Sequence, residues 1–124
     1  MKAGQLCVVR TTLSRPPKDK LTICICANEN LFFWINTEPR AHGEGQLALA
    51  ASDHPALSRE CYLDCSRVTT FPPLELKAAE IRDVISAELA GRIVQFLEDA
   101  PPKTLASRYR KLAVENLSIL CAKK

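Results

Sequence analysis

The segment KLTICICANENLFFWIN, residues 20–36, constrains the fold more than any other stretch of the chain. In an extended backbone Leu21, Ile23 and Ile25 point one way, and Thr22, Cys24 and Cys26 point the other. Both sets are apolar or nearly so, which suits a strand covered on both faces or a strand of a small barrel. ANEN is an asparagine-rich turn. LFFWIN is aromatic and β-branched, a composition that packs well on a pleated surface. The spacing predicts a hairpin of residues 20–26 and 31–37.

Shorter strands are expected on both sides of this hairpin. QLCVVR (5–10) follows Gly4. TTLSRPPKDK (11–20) reads as a loop, because its two prolines and alternating charges do not suit a central strand. TEPRAHGEGQ is a second polar loop, and LALAA (47–51) a short strand. SDHPALSRE is a third loop, since His54 precedes a proline and is restricted toward extended or turn backbone. CYLDCSRV resumes as strand, with VTTF continuing it or opening the next. After Pro72–Pro73, AAEIRDVI fits a last strand. From Ser86 the period becomes helical. Ser86 is a suitable N-cap, Glu88 complements the helix dipole, and Leu89, Ile93, Phe96 and Leu97 form one stripe. This helix is expected over about 87–98. Thr104 is a candidate cap for a second over about 104–116, with Leu105, Tyr109, Leu112 and Ala113 inward. LSILCAKK is either the frayed end of that helix or an added strand. At 124 residues the chain is read as one domain, 1–124. Strands first and helices last predict a mainly β fold with C-terminal helices, an antiparallel sheet or small barrel over about 4–85.

SDHPALSRECYLDCSRV, residues 52–68, gathers the most chemistry. One reading is a metal site of His54, Cys61 and Cys65, with Cys24 and Cys26. Its spacing is irregular for zinc, and Cys61 and Cys65 stand about four strand rises apart. Another is a nucleophilic cysteine activated by His54 or His42, which nothing in the spacing places beside a thiol. The favoured reading is a loop followed by a half-exposed strand. Cys61, Leu63 and Cys65 then face the core, and Tyr62, Asp64 and Ser66 face outward, with Arg67 and His54 able to join them. No metal and no other cofactor is expected. No signal-peptide core and no apolar run of membrane length is seen, so a cytoplasmic protein is expected. There the six cysteines stay reduced, and most belong to the core.

Charge is unevenly placed. Residues 1–20 carry five Lys/Arg and one Asp, and residues 101–124 carry six and one Glu, while the middle is net acidic. Basic ends suit a polyanion, or simply a solvated surface. Trp34 and its phenylalanines could stack on bases, although aromatics in a hairpin strand are more often core.

The order of these features resembles the PemK/MazF-type toxins of bacterial toxin–antitoxin pairs, in a divergent branch. Gly4 and the strand after it, the charged loop and KLTICICA, LFFWINT, the SDHPALSRECYLDCSRV block, and AEIRDVISAELAGRIVQFL carry the likeness, over about residues 4–98. The resemblance implies an SH3-like small barrel with helices appended and a homodimer. It implies a metal-independent endoribonuclease acting on single-stranded RNA, neutralised by a cognate antitoxin. The family pairs an arginine before the second strand with a Ser or Thr after the third. Here those positions match Lys20 and Thr37, and the usual Arg-Pro is replaced by Lys20-Leu21. Lysine supplies charge but lacks the planar fork that arginine aims at phosphate. The candidate catalytic residues are therefore Lys20, Thr37 and His54, with Lys18, Arg67, Tyr62, Asp64 and Ser66 as RNA-binding candidates. The missing arginine leaves a second expectation open, a catalytically inactive module of this kind that binds RNA or a protein partner.

Overall fold

The computed structural model describes residues 1–39 and 44–121, so His42 and the rest of its loop tip lie outside the described residues. Six strands form one antiparallel sheet: β1 (Gln5–Thr11), β2 (Lys18–Cys26), β3 (Leu31–Asn36), β4 (Gln46–Leu49), β5 (Cys61–Thr69) and β6 (Glu80–Val84). Their order across the sheet is β4-β5-β3-β2-β1-β6. The chain is thus mainly β, but the sheet is open. β4 and β6 are its edges, and no ladder joins them among the described residues.

The expected hairpin is present, with Ile23 opposite Phe33 and Thr22 opposite Trp34. Its turn ends on Asn30 at φ 54°, a left-handed conformation that asparagine tolerates better than most residues. The loop expected over 11–20 is shorter than its prolines suggested. β1 runs to Thr11 and β2 starts at Lys18, and these two residues pair. The charged residues at the start of β2 are accommodated because that end of the strand is exposed.

Both faces of the hairpin are covered. On one face Leu6, Ile23, Ile25, Phe33, Ile35 and Leu63 pack under two helices, α2 (Ala87–Asp99) and α3 (Ser107–Cys121). On the other, Cys7, Val9, Cys24 and Phe32 pack beneath Phe71. Cys26 is carried to the first face by a register shift between Cys24 and Cys26. A short helix, α1 (Pro73–Lys77), follows Phe71 and was not anticipated. The paired prolines read as a chain break, yet proline is well suited to the first turn of a helix. Glu75 then fastens α1 to the β1–β2 hairpin, accepting from the Thr12 N–H at 3.2 Å and the Thr12 hydroxyl at 2.8 Å.

α2 begins as its sequence indicates, with the Ser86 hydroxyl accepting from the Leu89 N–H at 3.1 Å. Leu89, Ala90, Ile93 and Leu97 are its buried stripe. α3 starts later and runs further than expected. Thr104 lies ahead of it and gives its hydroxyl to the Ser66 carbonyl instead of capping. The tail through Cys121 is helical, and Ala113 and Leu117 are the buried residues. Among the described residues no helix is long and apolar enough to cross a membrane.

Candidate functional site

The antiparallel register of β2 and β3 puts the start of one strand beside the end of the other. Lys18, Asp19, Lys20 and Leu21 therefore meet Ile35, Asn36 and Thr37. Ala56–Arg59 of the β4–β5 connection and Cys61 at the start of β5 complete the lining. Together they enclose a cleft of about 310 Å³. Its floor is apolar, made by Leu21, Ile35, Leu57 and Cys61. Its rim is polar; among the described residues it carries the cations Lys18, Lys20 and Arg59, with Thr37 and Ser58 as hydroxyls.

Lys20 is half-buried and well held. Its Nζ donates to Asn36 Oδ1 and lies 5.0 Å from the centre of the Trp34 ring. An ammonium over an indole is worth roughly 0.5–1 kcal/mol at such a site. Trp34 also lies parallel to Phe71, at 6.4 Å between centroids and 10° between planes. With Lys20 and Phe71 both against it, this ring is part of the packing and not a platform for bases. Asp19 brings the cleft's carboxylate, but Arg10 stands 3.6 Å from it across β1 and β2. Among the described lining residues, three cations stand against this one carboxylate.

Of the residues singled out from sequence, Lys18, Lys20 and Thr37 come together here. The others do not. Arg67 is exposed on β5 and does not line the cleft. Tyr62 is half-buried and lines a separate recess with Ala48 and Arg92. Asp64 and Ser66 were expected to face outward, and this is corrected: they are 2% and 5% exposed. Asp64 Oδ1 accepts from Gln46 Nε2 at 2.9 Å, from the Ser66 N–H at 3.0 Å, and from the Ser66 hydroxyl. The polar face of β5 is buried because Gly45 and Pro102 close over Ser66. Gly45 has φ +71°, and a Cβ there would stand 2.8 Å from Pro102 Cγ and 2.9 Å from the Ser66 nitrogen.

His54 also lies elsewhere. It is 4% exposed and outside the cleft. Its Nε2 is 2.7 Å from the Asp83 carbonyl and its Nδ1 accepts from the Ala56 N–H at 2.9 Å. Both ring nitrogens are engaged with backbone, so this histidine is not placed to move a proton on a ligand in the cleft. Cys61, the thiol that reaches the floor, is pushed up from its ordinary pKa by burial and by Asp53, which favours the neutral thiol over the thiolate. Among the described residues no three His, Cys, Asp or Glu side chains gather where they could hold a metal ion.

Sequence reasoning missed Arg59, Ser58 and Asn36. Arg59 sat inside the quoted His-Pro segment, but only the fold brings that segment back across the β2–β3 junction. Asn36, next to Thr37, carried no separate signal. Chemically, the cleft offers positive charge and hydrogen-bond donors to an anion, with an apolar surface behind. No family model matches the chain, and no curated protein or solved structure matches it.

Proposed function

We propose that this protein binds single-stranded RNA, with phosphates held on the rim of the cleft by Lys18, Lys20 and Arg59. The observation that carries the reading is the meeting of these three cations with Thr37 around one apolar-floored cleft. A neutral ligand would not need that charge, and a duplex would be met by a broad basic surface rather than a recess of this size. The reading agrees with the PemK/MazF-like resemblance, in which Lys20 and Thr37 are the matched groove pair. It takes the open six-stranded sheet as a divergent form of that family's SH3-like scaffold. Under the same reading a cognate antitoxin covers this cleft, and the chain works as a homodimer in the cytoplasm.

The second reading is cleavage of the bound RNA, favoured by Lys20 and Thr37 lining the same cleft. Attack by the 2′-hydroxyl needs a base for its proton, an acid for the leaving oxygen and positive charge on the phosphorane. Lys20 can supply the charge. His54 is engaged elsewhere, and Asp19, the carboxylate in the lining among the described residues, is beside Arg10. Binding without turnover is therefore the better supported of the two.

The test is fluorescence anisotropy with a labelled mixed-sequence single-stranded RNA in excess chelator, followed by mapping of new 5′-hydroxyl ends on the recovered RNA. Binding that weakens in Lys18→Ala, Lys20→Ala and Arg59→Ala, with no new ends, supports the binding module. Recurrent cuts lost in Lys20→Ala or Thr37→Ala support the nuclease. No binding at low salt by the folded protein overturns both.

A further inference from the structure

The two edges of the sheet are not alike. At β4 the Arg92 guanidinium of α2 donates to the Ala48 carbonyl at 3.3 Å, so a side chain already reaches that strand's backbone. At β6 all five residues are exposed. Ile81 and Val84 are 49% and 44% exposed, large apolar side chains on an outermost strand. Sheet edges are commonly blunted by proline, lysine, a bulge or a cover. The strand EIRDV contains no proline and no lysine. Its far end is blunted in other ways. The register with β1 shifts between the Ile81 and Val84 pairs, and His54 Nε2 lies 2.7 Å from the Asp83 carbonyl. Glu80–Arg82 is left as the open part of the edge. The last turn of α3 lies beside the strand. A Cβ on Gly4 would meet both Leu120 and Val84, and Ile119 of that turn is exposed.

The charges of this open part complement themselves. Glu80 and Arg82 stand two apart on the strand and pair at 2.8 Å. When two copies of one strand pair antiparallel about a two-fold axis, one residue stands opposite itself. With Glu80, Arg82 or Asp83 in that place, like charges face each other, which is unfavourable. With Val84 there, Asp83 falls opposite the buried Ile85, and the pairing runs into the blunted end. With Ile81 there, Glu80 of each copy stands opposite Arg82 of the other. The four charges close a ring on one face, and the two isoleucines meet on the opposite face.

We propose that β6 is an interface for a second copy of this chain, paired antiparallel through Glu80–Arg82 with Ile81 opposite Ile81. The occupant is a second copy because the order Glu-Ile-Arg is its own complement across the axis. Two six-stranded sheets become one, and an open edge is removed from each. Val84 and Ile119 add exposed apolar surface beside the contact. The contact is short, so the association is weak and depends on concentration. It gives a surface to the homodimer of the reading above, but it is argued from this strand alone and needs no RNA in the cleft.

The test is sedimentation velocity of the full chain without RNA, from low micromolar to near-millimolar concentration. Wild type shifts from monomer to dimer as concentration rises. Glu80→Arg and Arg82→Glu each set like charges across the axis and weaken self-association about tenfold or more. Both changes in one chain restore the wild-type profile. An equimolar mixture of the two single variants does so too, because every opposed pair is again Glu with Arg. Misfolding of a variant cannot produce that recovery. A wild type that stays monomeric throughout overturns the proposal. A dimer that all variants form equally, or a mixture no more associated than its components, also overturns it. RNA anisotropy on the same preparations is read separately. Dimerisation that follows the charge order in a protein that binds no RNA supports the interface and overturns the RNA reading.

Discussion

The Lys20 ammonium lies over the Trp34 ring and is tethered beside it by Asn36. The residue that resemblance matches to a catalytic arginine is thus held by an aromatic and an amide, at the edge of a cleft with two further cations. Trp34 is also the protein's one tryptophan, which makes its emission a reporter of this edge. RNA drawing Lys20 toward a phosphate should change that emission. Lys20→Ala should shift the emission of the free protein, abolish the RNA-dependent change and reduce the slope of log affinity against log salt by about one. An emission change that survives in Lys20→Ala would place the ligand elsewhere.

Arg59 and Arg67 make a paired control. Both are exposed arginines near the same stretch of sequence, but only Arg59 lines the cleft. Arg59→Ala should weaken RNA binding across sequences and lower its salt dependence, while Arg67→Ala should leave both nearly unchanged. Anisotropy titrations at several salt concentrations read this directly, and equal losses in the two variants would mean a diffuse basic surface.

Asp64→Ala should destabilise the fold without touching the cleft. It leaves the Ser66 N–H and hydroxyl and the Gln46 amide without their shared acceptor, a loss of about 1–3 kcal/mol. Urea unfolding measures the stability, and RNA affinity of the still-folded protein should match wild type.

Gly45→Ala tests the closure over that network. It puts a Cβ against Pro102 and the Ser66 backbone at a positive φ, for a loss of about 2 kcal/mol or more. The same urea titration reads it, and a neutral result would mean that the turn and the α2–α3 connection shift apart easily.

What could be read from sequence, and what could not, divides along these lines. Alternation in KLTICICA suited a strand covered on both faces or a strand of a small barrel, and β2 is covered on both faces of an open sheet. Ser86 with its stripe identified α2 almost to the residue, because a cap and a period of 3.6 are local signals. The alternation in CYLDCSRV was also real, but it gave only which side chains share a face. Whether the polar side meets water depends on Gly45 and Pro102, far away in the chain. The burial of His54 was not legible for the same reason: its partner is the β6 backbone, and a backbone carbonyl has no sequence signature. Lys20 and Thr37 were singled out through resemblance, and Arg59, which lines the same cleft, carried no matching motif.

The buried thiols predict a pH dependence on the alkaline side. Burial pushes Cys24 up from 9.0 to about 12, and Cys7, Cys61 and Cys65 are raised as well. In the unfolded chain these thiols ionise near 9, while in the fold they stay neutral. Their contribution to stability is therefore complete below about pH 9 and is lost as pH rises toward about 12. The urea midpoint should fall between pH 8 and pH 10 and fall less in Cys24→Ala. In the native protein at neutral pH, iodoacetamide should label the half-exposed Cys121 first. Fast labelling of Cys65 would contradict its burial.

β1 lies between its sequence neighbour β2 and the last strand, β6, with Cys7 opposite Ile81. During synthesis the first five strands can therefore assemble while one side of β1 still lacks its partner. That side is the flank of the first strand of this sheet to be made, and it stays open to pairing with other chains until residues 80–84 have cleared the ribosome. A nascent chain stalled before Glu80 exposes a ready-made sheet edge, and a chaperone or a second ribosome's product would meet it before β6 does.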